Sequence, residues 1–166
     1  MICQSSTVGP LGANAADGAI TELIWGHAGN LTKGPLHQQI SNEMTAYFAG
    51  DLKKFQTPVT PKGSPFQQCF YAALSAIPYG ETRTYGDLAQ ELGVSAQAIG
   101  QACGANPIAI IIPCHRVLGA NGLGGYSGMG GIEAKVALLK LEGAAGLLIL
   151  ALRAGMICWA TPAKSK

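Results

Sequence analysis

The chain has 166 residues, 48% of them hydrophobic and 12% charged, with a formal net charge of +2. This balance excludes a disordered chain and predicts a packed core, in one ordinary domain or two small ones. It does not single out nucleic acid as a partner: from Tyr79 to Glu142 there are four basic residues (Arg83, Arg116, Lys135, Lys140) and five acids (Glu81, Asp87, Glu91, Glu133, Glu142). Residues 1–60 read as a small α/β unit. Asp17-Gly18 followed by Ala19 to Trp25 predicts a turn and a strand. Leu36, Ile40, Met44, Tyr47 and Phe48 recur at helical spacing, with Gly50 where a glycine ends a helix. Pro58 and Pro61 mark the segment Lys53 to Gly63 as a linker.

A second unit is expected to begin at Ser64. Ser64 is placed to cap a helix, with Pro65 at its first position and Gln67 completing a capping box. This helix is expected to run to about Ala76, with Phe66, Cys69, Phe70, Ala73 and Leu74 inward, and Pro78 stops it. Two short helices follow, about Gly86 to Leu92 and, capped by Ser95, on to about Gly104. A tight glycine-containing turn between them gives a helix-turn-helix pattern. The β-branched run 108–112 reads as a buried strand. Gly119 to Gly131 is a glycine-rich loop, and Ile132, Val136 and Leu139 mark a last helix ending at Gly143. Residues 149–166 form a tail of unassigned role.

The predicted strand ends on Pro113, which fixes its own φ and pushes Ile112 towards an extended conformation. Cys114 and His115, a nucleophile and a base, come next. Neighbouring side chains on a strand point to opposite faces. If the two act together, either the backbone turns here or a water bridges them. A thiolate is the reactive form of a cysteine, and an adjacent base favours it. A buried structural cysteine beside a surface histidine is the bland alternative.

Five cysteines (Cys3, Cys69, Cys103, Cys114, Cys158) contain no C-x-x-C pair. That favours a reducing, cytoplasmic setting over a disulfide framework and lacks the spacing of a zinc ribbon. Cys3, His27 and His37 do not support a metal site, so none is assigned. Residues 1–30 show no basic segment leading an apolar run, so no signal peptide is expected. Ala144 to Ala160 is apolar but short and interrupted by Arg153, so no membrane span is expected either.

The string Ile112-Pro113-Cys114-His115-Arg116-Val117-Leu118 resembles the active-site signature of the O6-alkylguanine-DNA alkyltransferases, also called methylated-DNA–protein cysteine methyltransferases. The resemblance runs from about Ser64 to Leu148. It includes Pro65-Phe66-Gln67, Ile77 to Thr82, Tyr85 to Ala89, Asn106-Pro107, Tyr126-Ser127-Gly128, and the spacing of Lys135 to Glu142. It implies an α/β (α+β) fold: a small N-terminal α/β domain, then a C-terminal winged-helix-like helix-turn-helix domain carrying the active-site cysteine. It further implies a DNA repair reaction of a single turnover. Cys114 would take an alkyl group, such as methyl, from O6 of an alkylated guanine flipped out of double-stranded DNA. His115, through a water, would draw off the thiol proton, Glu142 would orient His115, and Asn106 would hold the turn presenting Cys114. Tyr85, Val117, Tyr126 and Ser127 would contact the base. Ser95, Ala96, Gln97 and Gly100 would meet DNA in the minor groove. No cofactor is implied, because the protein is the acceptor, and a monomer is expected. A non-catalytic protein that recognises alkylguanine is the alternative, against which Cys114 argues.

Taken without the resemblance, several of these residues keep a second reading. Glu142 lies at a helix C-terminus, where the macrodipole disfavours an acid; it is either a solvated residue or one placed there for another purpose. Asn106 reads also as a helix stop, Tyr85 as a hydrophobic cap and Lys135 as a solvated helix residue. Arg116 reads as a salt-bridge or a phosphate partner. The sequence departs from the family pattern where Gln97 stands at the usual arginine and where the segment Tyr85 to Gln97 is about two residues shorter. The loop from Cys114 to Tyr126 is about one residue shorter, and Tyr126 to Lys135 about two longer.

Overall fold

The structure, a computed structural model, describes residues 8–26, 34–128 and 130–144. Cys3, His27 and the tail beyond Ala144 lie outside the described residues. The chain begins with an antiparallel hairpin of β1 (Leu11–Ala16) and β2 (Ala19–Trp25). Asp17 and Gly18 both take positive φ, 50° and 78°, the condition for a tight turn whose twist matches the strands. The predicted strand is β2; the alanine-rich β1 before it carried no sequence signal.

Helix α1 (Pro35–Phe48) buries Ile40, Met44 and Tyr47, one stripe at helical spacing. The proline-containing linker is tied down. Ile20 N donates to Pro58 O at 2.9 Å and Thr60 N to Ile20 O at 2.8 Å, which runs the linker beside β2. Glu43 Oε2 accepts from Gln56 N, Thr57 N and Thr57 Oγ1.

Helix α2 (Pro65–Ser75) starts with the expected capping box: Gln67 N donates to Ser64 Oγ and Ser64 N to Gln67 Oε1. Its buried face is Phe70, Tyr71, Ala73 and Leu74. Cys69 is exposed, contrary to expectation, because the helix turns its Tyr71 side inward instead. A two-residue strand β3 (Arg83–Thr84) leads into α3 (Tyr85–Leu92), and a turn at Gly93 leads into α4 (Ala96–Gly104). A 3-10 turn, Cys114–Arg116, precedes β4 (Val117–Leu118), which pairs in parallel with β3. Helix α5 (Gly131–Leu141) closes the described fold.

One further expectation about this half is corrected. Residues 108–112 form a turn rather than a strand. Ile108, Ile110 and Ile112 are buried, but Ile110 sits at φ +77° and Ile112 N donates back to Ile108 O at 2.9 Å. The apolar run is buried as predicted, yet its backbone bonds are local instead of going to a neighbouring strand. In α5, Ile132 is exposed and Val136 only half-buried, while Ala134, Lys135, Leu138 and Leu139 are buried. One hydrophobic cluster runs from Leu11, Ile20 and Tyr47 through Phe70 and Leu88 to Ile108, Val117 and Leu138. Among the described residues no helix is long and apolar enough to cross a membrane.

Candidate active site

The 3-10 turn answers the question posed by adjacent Cys114 and His115. Both are buried, with Cys114 at 3% exposure and His115 at 0%, and the turn removes the opposite-face constraint of a strand. Asn106 holds the approach to this turn with both ends of its amide: Nδ2 donates to Ile112 O at 2.8 Å, and Oδ1 accepts from Ile108 N at 3.1 Å. The turn carrying Ile110 at positive φ is thereby clamped across its base. A β-branched residue in that conformation costs on the order of 1–3 kcal/mol, and the Asn106 bonds and the burial of three isoleucines offset it.

Behind the cysteine, four side chains converge. His115 Nε2 lies 2.8 Å from Glu142 Oε1. Arg116 grips the same carboxylate as a fork, Nε to Oε2 and Nη2 to Oε1, each 2.9 Å, while its Nη1 donates to Ile77 O at 2.6 Å. Tyr47 Oη, from α1, donates to Glu142 Oε1 at 2.6 Å. Gly80 N approaches Oε2 at 3.4 Å. Burial acts most strongly on Glu142 and disfavours its charge, but bonds from His115, Arg116 and Tyr47 together outweigh it and bring its pKa down to about 2. Glu142 is thus an ionised, fully engaged carboxylate rather than a solvated one. Arg116 is its ion-pair partner.

This geometry fixes the histidine. Facing a carboxylate, Nε2 carries the proton, and Nδ1 is the acceptor nitrogen. Nδ1 is buried and has no hydrogen-bond partner among the described residues. Burial lowers the His115 pKa more than Glu142 raises it, with Arg116 and Lys135 also lowering it, so the ring is neutral at neutral pH. Burial pushes the Cys114 thiol up, opposed by Asn106 and the Lys135 ammonium.

On its other side Cys114 faces a cavity of about 590 Å³, large enough for a flat heterocycle. One wall is a face of α4 built from Ala96, Gln97, Gly100, Cys103 and Gly104. Tyr85 at the start of α3 and the loop Gly125-Tyr126-Ser127 complete it. Tyr126 Oη is buried with no partner among the described residues, and Trp25 of β2 packs edge-on against its ring. Burial raises the Tyr85 pKa to about 12, with Cys103 and Cys114 adding to the effect, so this hydroxyl keeps its proton. Gly124 (φ +70°) is required here, because a Cβ would lie 2.6 Å from the Tyr85 ring. Lys135 is fully buried. Its ammonium joins Val117 O (2.6 Å) to the loop carbonyls Leu123 O (2.6 Å) and Gly125 O (3.1 Å). Burial lowers its pKa to about 8, against the opposing effect of Cys103 and Cys114.

Of the residues singled out in the sequence, Cys114, Tyr85, Tyr126, Ser127, Ala96, Gln97 and Gly100 line this cavity. His115, Glu142 and Asn106 stand behind it. Two do not line it. Val117 is buried, with its carbonyl taken by Lys135, and Ser95 caps α4, accepting from Ala98 N at 3.1 Å. Sequence reasoning missed Cys103 and Gly104 as lining residues, though their helical spacing from Ala96 marks the same face. It also missed Tyr47, for which no local signal exists.

A family model described as "6-O-methylguanine DNA methyltransferase, DNA binding domain" matches residues 65–144. A methylated-DNA–protein-cysteine methyltransferase of Methanosarcina acetivorans is 51% identical over 109 residues, covering 64% of this chain and 69% of the relative. The Mycobacterium leprae protein of that name is 41% identical over 152 residues, 84% of this chain and 91% of the relative. The chain spans 62% of the length of a Mycobacterium tuberculosis protein so named, at 53% identity. Among solved structures, that of Mycobacterium tuberculosis OGT in complex with DNA matches with TM-score 0.72 and 40% identity, covering 87% of this chain and 96% of the other.

Proposed function

This chain belongs to the methylated-DNA–protein-cysteine methyltransferase family, and from that premise we propose that it repairs double-stranded DNA by moving the alkyl group of an O6-alkylguanine onto Cys114. The observation that carries the reading is a buried thiol lining a cavity with room for a base, with a neutral histidine held behind it by an ionised carboxylate. The thiol is kept protonated by burial, so a base must act. His115 Nδ1 is the free acceptor and takes the proton through a bridging water. The sulfur then bonds the alkyl carbon, the C–O6 bond breaks, and its electron pair stays on the guanine. Protonated hydroxyls around the cavity, Tyr85 above all, are placed to meet the charge developing on the base. The thioether formed is a poor leaving group, so each molecule acts once.

A base inside a duplex cannot reach a thiol with 3% exposure, so the target nucleotide must leave the stack, at a cost of about a few kcal/mol. The uncharged α4, led by Ser95, Ala96, Gln97 and Gly100, is the surface we assign to the minor groove; its small side chains favour close approach over charge attraction. In this reading residues 1–60 are the N-terminal α/β domain and residues 64–148 the winged-helix-like domain carrying the active-site cysteine. The protein works as a cytoplasmic monomer.

The test is intact-mass measurement after incubation with a duplex containing O6-methylguanine. One methyl per chain, mapped to Cys114, is the expected result. A methyl on Cys69 or Cys103, or none at all, defeats the assignment. Binding of the lesion by the parent protein without transfer would favour the non-catalytic recognition reading. Cys114→Ala is expected to bind the lesion without accepting the methyl group.

A further inference from the structure

Tyr47 is the one member of the carboxylate cluster that comes from outside the 64–148 unit, 95 positions before Glu142. Its ring is fully buried in the core, against Phe48, Phe55 and Tyr79 at centroid distances of 5.3, 5.2 and 6.2 Å. Packing alone would be served by phenylalanine. The hydroxyl adds one bond, 2.6 Å to Glu142 Oε1, and that oxygen also receives His115 Nε2 at 2.8 Å.

With Arg116 Nη2 at 2.9 Å, three donors share this oxygen and compete for its electron density. Each bond Oε1 accepts from elsewhere reduces what it offers to the imidazole, and so reduces its power to favour an imidazolium. We propose that Tyr47 is a positioning residue of the Cys114 relay, whose hydroxyl occupies Glu142 Oε1 and thereby holds His115 neutral, with Nδ1 able to accept the thiol proton.

The charged and titratable groups around His115 are few. Glu142 favours its charged form, while Arg116 and Lys135 disfavour it. Cys114 is its chain neighbour and is held as the neutral thiol. Tyr79 stands beyond the carboxylate and donates to Leu141 O, not to Glu142. With the Tyr47 hydroxyl removed, Glu142 faces the same cations but gives His115 a larger share of Oε1. The His115 pKa then moves up. A protonated ring accepts nothing, so the acid limb of the transfer rate moves to higher pH.

The inference rests on the proposed alkyl transfer, but one of its two readouts does not. The first is the NMR titration of the His115 ring in the DNA-free protein, for the parent, Tyr47→Phe and a chain with 3-fluorotyrosine at position 47. The second is the pH dependence of methyl transfer from O6-methylguanine DNA, followed by intact mass. In Tyr47→Phe the ring titrates at higher pH than in the parent. Transfer is slower by roughly tenfold on the acid side, less than the about 10²–10⁴-fold typical of an acid–base group itself, and the deficit closes as pH rises. The more acidic fluorinated phenol donates more strongly and moves both readouts the opposite way, in a side chain of nearly unchanged shape. A purely structural tyrosine would lower stability without shifting either profile. Parent-like His115 titration in a folded Tyr47 variant overturns the inference; should Tyr47→Phe not fold, the fluorotyrosine chain decides. Absence of methyl transfer in the parent protein would instead count against the proposed function, and the titration would still judge the Tyr47–Glu142–His115 coupling.

Discussion

The central residue is Glu142, the C-cap of α5, a position where the helix dipole disfavours an acid. Arg116, His115 and Tyr47 supply what the helix end does not. Deleting the carboxylate strands Arg116 and Tyr47 without their acceptor in the core. Glu142→Ala is therefore expected to cost about 3–5 kcal/mol of stability, the range for breaking a buried ion pair by removing one partner, besides slowing transfer. His115→Ala, which removes no charge, is expected to keep most of the stability and lose about 10²–10⁴-fold in rate. Chemical denaturation and single-turnover kinetics on the two variants separate these effects. Equal stability loss with parent-like rates in both would refute the arrangement. The sequence shows Cys114, His115 and Glu142 through local grammar and a recognisable string. It does not show Tyr47, because a contact across 95 positions leaves no spacing to read.

At the scale of elements, legibility followed the chemistry of helix ends. Ser64 and Gln67 form a reciprocal cap, Gly93 ends α3 and Ser95 starts α4, each readable from residue type alone. The stretch 108–112 reads as a strand yet forms a turn, because β-branching reports burial as strongly as it reports strand. What decides between them is Asn106, whose amide closes the turn. The face of α4 carries the next prediction. Gln97 is exposed on the cavity rim and contributes no charge. An arginine there adds a cation and a planar donor fork. Gln97→Arg is expected to leave methyl transfer intact and to tighten DNA binding. The salt dependence should steepen by up to about 0.9 in log–log slope, one added phosphate contact. Salt titrations of both proteins on one methylated duplex measure this. Identical affinities and slopes would mean that position 97 does not meet the DNA.

At the scale of the whole molecule, the carboxylate cluster of the proposed relay is assembled from α1, the 3-10 turn and α5, around a hydrophobic cluster that runs from Leu11 to Leu138. A shared core and a shared carboxylate make the two units one cooperative body, so a single unfolding transition is expected. Its pH dependence follows from the buried groups. Glu142 has a folded pKa of about 2 against an ordinary 4.5. In acid the unfolded chain binds this proton first, so the stability Glu142 contributes is present above pH 4.5 and lost as pH falls towards 2. His115 has the same sign: its folded value lies below 6.5, the unfolded chain protonates first, and stability begins to fall once pH drops below 6.5. Lys135, at about 8 against an ordinary 10.5, makes stability rise with pH between those values. The melting temperature is thus expected to decline from about pH 6.5 downward and more steeply below 4.5. In Glu142→Gln, which starts lower, that steeper part should flatten, because the titrating group is gone. Calorimetric scans of both proteins across this range provide the measurement. An unchanged slope below pH 4.5 in the variant would assign acid unfolding to other carboxylates and leave Glu142 as a partner whose charge the fold does not need.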